Sequence, residues 1–207
     1  MPCGPWDGRP GLERNVQAVA AARQAAGPGV DVMVDCFMSW DVDYTIRFAR
    51  AAREHDLRWI EEPLPPDDYA GYATLRRRIG WTQVATGEHE YGRWGFRELL
   101  ARGGADVLQP DVAWAGGLSE VRRIAALAAA HDVIVVPHAG GLQPWTVHLM
   151  VATPNCPLAE TIVFRAEDRR PAPSIRSLAT LEAGRLRPNQ SPGAGVEILI
   201  DPGELPG

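Results

Sequence analysis

Six times along this chain a short apolar run stops at an acid or a histidine. The run over 30–35 ends at Asp35, and the run over 57–61 ends at Glu61, with Glu62 and Pro63 behind it. The run over 83–86 gives way to Gly87-Glu88, 106–109 to Pro110-Asp111, 133–136 to Pro137-His138, and 157–159 to Glu160. Runs of this length, β-branched in part and closed by Pro or Gly, read as buried strands. The stretches between them carry apolar residues at helical spacing, as at Val42, Ile46, Ala49 and Ala52 over 41–54. Further helices are expected over 12–26, from an Asp67 or Asp68 cap to about 79, over 92–102, over 117–131 with Ser119 as cap, and over 143–152.

Strands alternating with helices imply βαβ units and a parallel sheet. The strand ends recur about every 25 residues, close to the length of one such unit. Two architectures fit: six strands of a (β/α)8 barrel, or an open doubly wound sheet. No Gly-x-Gly-x-x-Gly follows the first strand, so a dinucleotide-binding version of the open sheet has no support. Beyond Phe164 the composition turns to Pro, Arg and Gly. The division expected is a barrel portion over 1–164 and a tail over 165–207 with one strand over 196–200.

The formal net charge of −5 argues against nucleic acid or an anionic membrane as partner. No run of eighteen apolar residues offers a membrane span, and the first ten residues lack a basic start followed by an apolar stretch. Cys3, Cys36 and Cys156 are odd in number and scattered, which fits a reducing compartment, and the expected location is cytoplasmic. All 21 basic residues are arginine. Schiff-base, P-loop and general-base lysines are therefore excluded.

In a barrel, the C-terminal strand ends share one face, where active sites lie. Asp35, Glu61, Glu88, Asp111, His138 and Glu160 would gather there. Any one acid could equally cap a helix or face solvent; six consecutive strand ends are harder to explain so. Like charges about 4 Å apart repel by about 4 kcal/mol at an effective dielectric near 20. A divalent cation relieves that, and an all-oxygen site favours Mg²⁺ or Mn²⁺. Glu61 and Glu62 are adjacent and point to opposite sides of a strand, so one of them, Glu61, is taken as the ligand. Glu62 is assigned a supporting or ion-pairing place. His89 follows Glu88 directly and is a candidate for touching the substrate or supporting a ligand. His55, His131 and His148 fall on expected helices and read as structural, and Cys36 as a small buried residue beside the metal.

Asp35-Cys36, Ile60-Glu61-Glu62-Pro63, Gly87-Glu88, Gln109-Pro110-Asp111 and Pro137-His138 together resemble the mandelate racemase branch of the enolase superfamily, in order and in spacing. The stretches over 35–44, 59–69 and 86–90 are similar, more narrowly, to the L-rhamnonate dehydratases of that branch. The resemblance covers roughly 12–200. It implies Asp35, Glu61 and Glu88 as Mg²⁺ ligands, Asp111 and His138 as the catalytic pair, and Glu160, His89 and Glu62 as residues touching the substrate or supporting the ligands. It implies a lyase that removes the proton α to a carboxylate and then the β-hydroxyl as water, taking L-rhamnonate to 2-keto-3-deoxy-L-rhamnonate. The partner would be a small acid sugar, and the full-length form a homo-oligomer.

Against that pattern the chain departs twice. A capping domain and the first two barrel strands are missing, so the strands here would be the third to the eighth, with the tail packing on the absent cap. The loop over 139–145, Ala-Gly-Gly-Leu-Gln-Pro-Trp, is less polar than the family's. Two alternatives follow: a truncated, non-catalytic metal-binding fragment, or a dehydratase for a different acid sugar.

Overall fold

The computed structural model describes residues 1–162, 175–177 and 179–199. Helix α1 (Gly8–Ala26) opens the fold and starts earlier than its apolar spacing suggests. Then come β1 (Val32–Asp35), α2 (Val42–Ala51), β2 (Leu57–Glu61), α3 (Tyr69–Arg78), β3 (Gln83–Thr86), α4 (Gly92–Ala101), β4 (Val107–Leu108), α5 (Leu118–Ala129), β5 (Ile134–Val135) and α6 (Pro144–Val151). The five strands form one sheet in the order β1-β2-β3-β4-β5, every pair parallel. A doubly wound sheet reverses its strand order at a switch point. This order never reverses, and successive helices pack on one another in sequence order from α1 to α6. The fold is α/β with a five-stranded parallel sheet, consistent with part of a TIM-type barrel.

The expected sixth strand over 157–159 does not form. The chain meets the sheet just before it, where Asn155 O accepts from Val135 N–H at 2.8 Å and Asn155 Nδ2 donates to Val133 O at 3.2 Å. Pro157 has no N–H to give a ladder, which leaves no regular pairing. Ser119 is not a cap either. Gly117, with a φ of +93° that suits glycine, begins α5, and no side chain caps it. Asp41 and Asp68 do cap α2 and α3, accepting from Tyr44 N–H and Gly71 N–H. That satisfies amides a helix start leaves unpaired.

Alternation along the strands separates two cores. Val34, Ile60, Val84, Leu108 and Val135 join the larger one, against Phe48, Leu75, Phe96, Leu99 and Ile124 of the helix layer. Trp59, Ala85, Val107 and Val136 point to the opposite face and form a smaller cluster. Burial on both faces explains why β2 and β3 read as apolar runs rather than as alternating strands. Glu61 lies two residues beyond Trp59 and therefore shares the smaller, inner face. The Trp59 indole N–H donates to Glu61 Oε2 at 3.1 Å.

Past 162 the division expected at 164/165 lies outside the described residues, as do 165–174, 178 and 200–207. Strand β6 (Ile175–Ser177) pairs antiparallel with β9 (Val196–Ile198), and β7 (Thr180–Glu182) with β8 (Arg185–Arg187). The sequence suggests only the last of these four strands. Among the described residues no helix is long and apolar enough to cross a membrane.

Candidate active site

The parallel register carries the acids to one end of the sheet. Asp35 and Glu61 are direct partners across β1 and β2, and Glu61 pairs with Ala85 of β3, three residues before Glu88. Gly87 makes the turn between β3 and Glu88. Its φ is +129°, and a Cβ there would lie 2.7 Å from Phe96 Cε1, so only glycine fits without a shift. Positive φ also recurs at Phe37, Met38, Glu62 and Ala139, each just past a strand end of this face. Backbone strain at non-glycine residues gathers at functional sites, about 1–3 kcal/mol for each.

Glu61, Glu62, Glu88 and Asp111 are all buried. Among the described residues none of the four has an arginine partner. Burial pushes the Glu61 carboxyl up from 4.5 to about 7; the Glu160 and Asp35 charges add to it, and the Trp59 hydrogen bond opposes it. Burial likewise raises Glu88 to about 7, with Glu62 and Asp35 adding and the two histidines opposing. Asp35 is exposed, and its Oδ1 accepts from Phe37 N–H at 2.8 Å.

His138 follows β5 and is tied to the neighbouring segment by its N–H to Pro110 O at 3.2 Å. Its Nδ1 is 2.9 Å from Asp111 Oδ2, and its Nε2 is 3.3 Å from Glu88 Oε2. Asp111 Oδ1 accepts from the Ala113 and Trp114 N–H groups at 2.7 and 3.1 Å. Burial would raise the Asp111 pKa, but the hydrogen bonds from His138, Trp114 and Ala113 outweigh it and hold it below 3.8. An ionised Asp111 only accepts, so His138 Nδ1 carries the proton and Nε2 turns toward the acids. Burial would lower the histidine pKa, yet Asp111, Glu88 and Glu160 together raise it.

Glu62 and His89 form a second pair, with Nδ1 2.6 Å from Glu62 Oε2 and 3.3 Å from Glu88. Their atoms and those of Glu88 lie within 4.8 Å of one another and make an alternative ligand group, Glu62, Glu88 and His89. His89 Nδ1 is already paired with Glu62 Oε2 at 2.6 Å. Phe37 and Trp114 stand edge-on to the His89 ring, each with centroids 5.2 Å away, and Tyr91 stacks on Trp114. Sequence reasoning misses this aromatic wall, because nothing in the spacing of Phe37, His89 and Trp114 links them. Glu160 lies near the cluster, but its Oε2 accepts from Ala139 N–H at 2.9 Å, holding the loop after His138. His55, His131 and His148 lie outside this set, in a short turn after α2, just past α5, and in α6. Cys36 is buried beside Asp35.

The arrangement has the parts of a proton-abstraction site: a histidine with one nitrogen turned to the acids, an aspartate on its other nitrogen, and a buried acidic cluster. Residues 5–201 match the family model described as enolase C-terminal domain-like. The L-rhamnonate dehydratase of Saccharopolyspora erythraea is 42% identical over 200 residues, covering 94% of this chain and 51% of that protein. A solved L-rhamnonate dehydratase from Gibberella zeae superimposes with a TM-score of 0.78 at 39% identity, over 96% of this chain and 48% of that one. A rhamnonate dehydratase from Gibberella zeae complexed with Mg gives 0.74 at 46% identity, over 77% and 39%. The chain thus spans about half the length of the relatives it matches.

Proposed function

This chain belongs to the family of enolase C-terminal domain-like proteins, and on that premise we propose that its strand-end face is the active site of a Mg²⁺-dependent acid-sugar dehydratase. The observation that carries the proposal is the position of the His138 ring. Asp111 holds one nitrogen and the other faces Glu88, at the edge of the anionic cluster.

Asp35, Glu61 and Glu88 would hold the cation. Two of them are buried with raised pKa values and no arginine to offset them, and all three offer hard oxygen donors, which suits Mg²⁺. When bound, the cation supplies the positive charge that this cluster lacks and polarises a substrate carboxylate. His138 Nε2 takes the proton α to that carboxylate. Asp111 keeps Nδ1–H oriented and stabilises the imidazolium that results. His138 then returns the proton to the departing β-hydroxyl, which leaves as water, and the product is a 2-keto-3-deoxy acid.

L-Rhamnonate is the substrate that the identities to named L-rhamnonate dehydratases support. A different acid sugar is the second reading, favoured by the apolar loop over 139–143, where Leu142 is exposed. On this reading β1–β5 are strands three to seven of an eight-stranded barrel, and the segment over 157–160 lies where the eighth would run. The described part of the region past 164, residues 175–177 and 179–199, is taken as a tail that would pack on a capping domain.

The test is 2-keto-3-deoxy acid formation from a panel of acid sugars with millimolar Mg²⁺, by the 207-residue chain and by a form joined to a relative's capping portion. L-Rhamnonate should react in the longer form, and His138→Asn should not turn over. No product from any sugar in either form would overturn the assignment.

A further inference from the structure

Asp111 has a partner that the proton-transfer scheme does not use. Gln143 Nε2 donates to Asp111 Oδ2 at 3.1 Å, the same oxygen that accepts from His138 Nδ1 at 2.9 Å. With the Ala113 and Trp114 amides on Oδ1, the carboxylate receives four donors, about as many as its lone pairs accept. The Gln143 amide is itself held. The Thr146 hydroxyl, fully buried on α6, lies 3.1 Å from Gln143 Oε1. A carboxylate cannot donate, so the nitrogen side must face Asp111, and Thr146 must then donate to the oxygen side. The loop between His138 and Gln143 is pinned as well, Ala139 N–H to Glu160 Oε2 at 2.9 Å and Leu142 N–H to Ala139 O at 2.9 Å.

We infer that Gln143, oriented by Thr146, is a positioning residue that locks the Asp111 carboxylate and through it the His138 ring. The inference rests on the proposed dehydratase reading for its catalytic meaning, but the lock itself is a property of the chain. Of the two donors to Oδ2, the His138 ring becomes charged when Nε2 takes a proton during turnover, whereas Gln143 stays neutral throughout. An amide in that place is neutral, so it restrains the carboxylate without cancelling the charge that stabilises the imidazolium. Gln143 stands at the start of α6, yet its side chain caps nothing. Replacing it therefore removes the bond to Asp111 and leaves the helix start as it is.

The experiment uses the whole chain labelled with ¹⁵N-histidine. The Nδ1–H resonance of His138 is assigned by its loss in His138→Asn, and its exchange with water is measured. Gln143→Leu should speed that exchange on the order of tenfold, the scale of one lost hydrogen bond to a charged group. Thr146→Val should do so more weakly, Thr146→Ser should restore the native rate, and the Gln143→Leu/Thr146→Val double variant should be no faster than Gln143→Leu alone. Where the native chain turns over, Gln143→Leu should lower kcat with KM unchanged. An Nδ1–H exchange rate within about twofold of native in Gln143→Leu overturns the inference, as does an additive double variant. Faster exchange in a chain that turns over no acid sugar upholds the lock and counts against the dehydratase reading alone.

Discussion

Replacing Glu61 by Gln should stabilise the cation-free chain at pH 8 and leave it almost unchanged at pH 4. Glu61 has a folded pKa of about 7 against 4.5 for a free carboxyl. Between those values the folded chain keeps its proton while the unfolded chain has released it. Stability therefore falls as pH rises from 4.5 to about 7 and is level above that. A factor of ten in proton affinity is worth about 1.4 kcal/mol, so the full penalty above pH 7 is about 3 kcal/mol. The substituted glutamine side chain keeps an oxygen for the Trp59 indole but carries no charge to bury. For a chain of this size a kcal/mol corresponds to about 2–4 °C, so Glu61→Gln should melt about 6–12 °C above the native chain at pH 8 in chelator. Thermal melts by circular dichroism from pH 4 to pH 8 are the assay. A variant that melts no higher than native at pH 8, or a native chain whose Tm does not fall between pH 4.5 and 7, would refute the argument from burial.

Three further outcomes are expected. Mg²⁺ at about a hundred times its Kd should stabilise the native chain by about 2.7 kcal/mol, and Glu88→Gln should abolish most of that shift; an equal shift in both would remove Glu88 from the ligand set. His138→Asn should keep the Mg²⁺-dependent shift, since its ring is assigned to proton transfer and not to the cation; loss of the shift would make the histidine a ligand. Gly87→Ala should cost at least about 2 kcal/mol, because its φ of +129° and the Phe96 ring leave no room for a methyl group. Urea unfolding measures that cost, and an unchanged midpoint would contradict it.

Strand positions were legible because burial on both faces makes β2 and β3 continuous apolar runs, and the strand ends then located Asp35, Glu61, Glu88, Asp111 and His138. Period two predicted that Glu61 and Glu62 diverge, and the positive φ at Glu62 turns it toward His89. Other features depend on contacts that no spacing encodes. An apolar triplet at 157–159 resembles a strand, but Pro157 removes the donor that a ladder needs. Phe37, His89 and Trp114 belong to three different loops and meet only because those loops share one end of the sheet. Gln143 looks like the first residue of a helix, and its bond to Asp111 exists only because the loop after His138 folds back.

Among the described residues the ligand atoms of Glu62, Glu88 and His89 lie within 4.8 Å of one another, and no such group contains Asp35, Glu61 and Glu88 together, the set proposed above for the cation. A crystal structure of the chain grown with Mg²⁺ separates the two sets. The account predicts one cation with oxygens of Asp35, Glu61 and Glu88 at about 2.1 Å, Glu62 still bonded to His89, and His138 Nε2 free beside it. A cation bound by His89 and Glu62, or a well-ordered face that takes no cation at millimolar Mg²⁺, would contradict it.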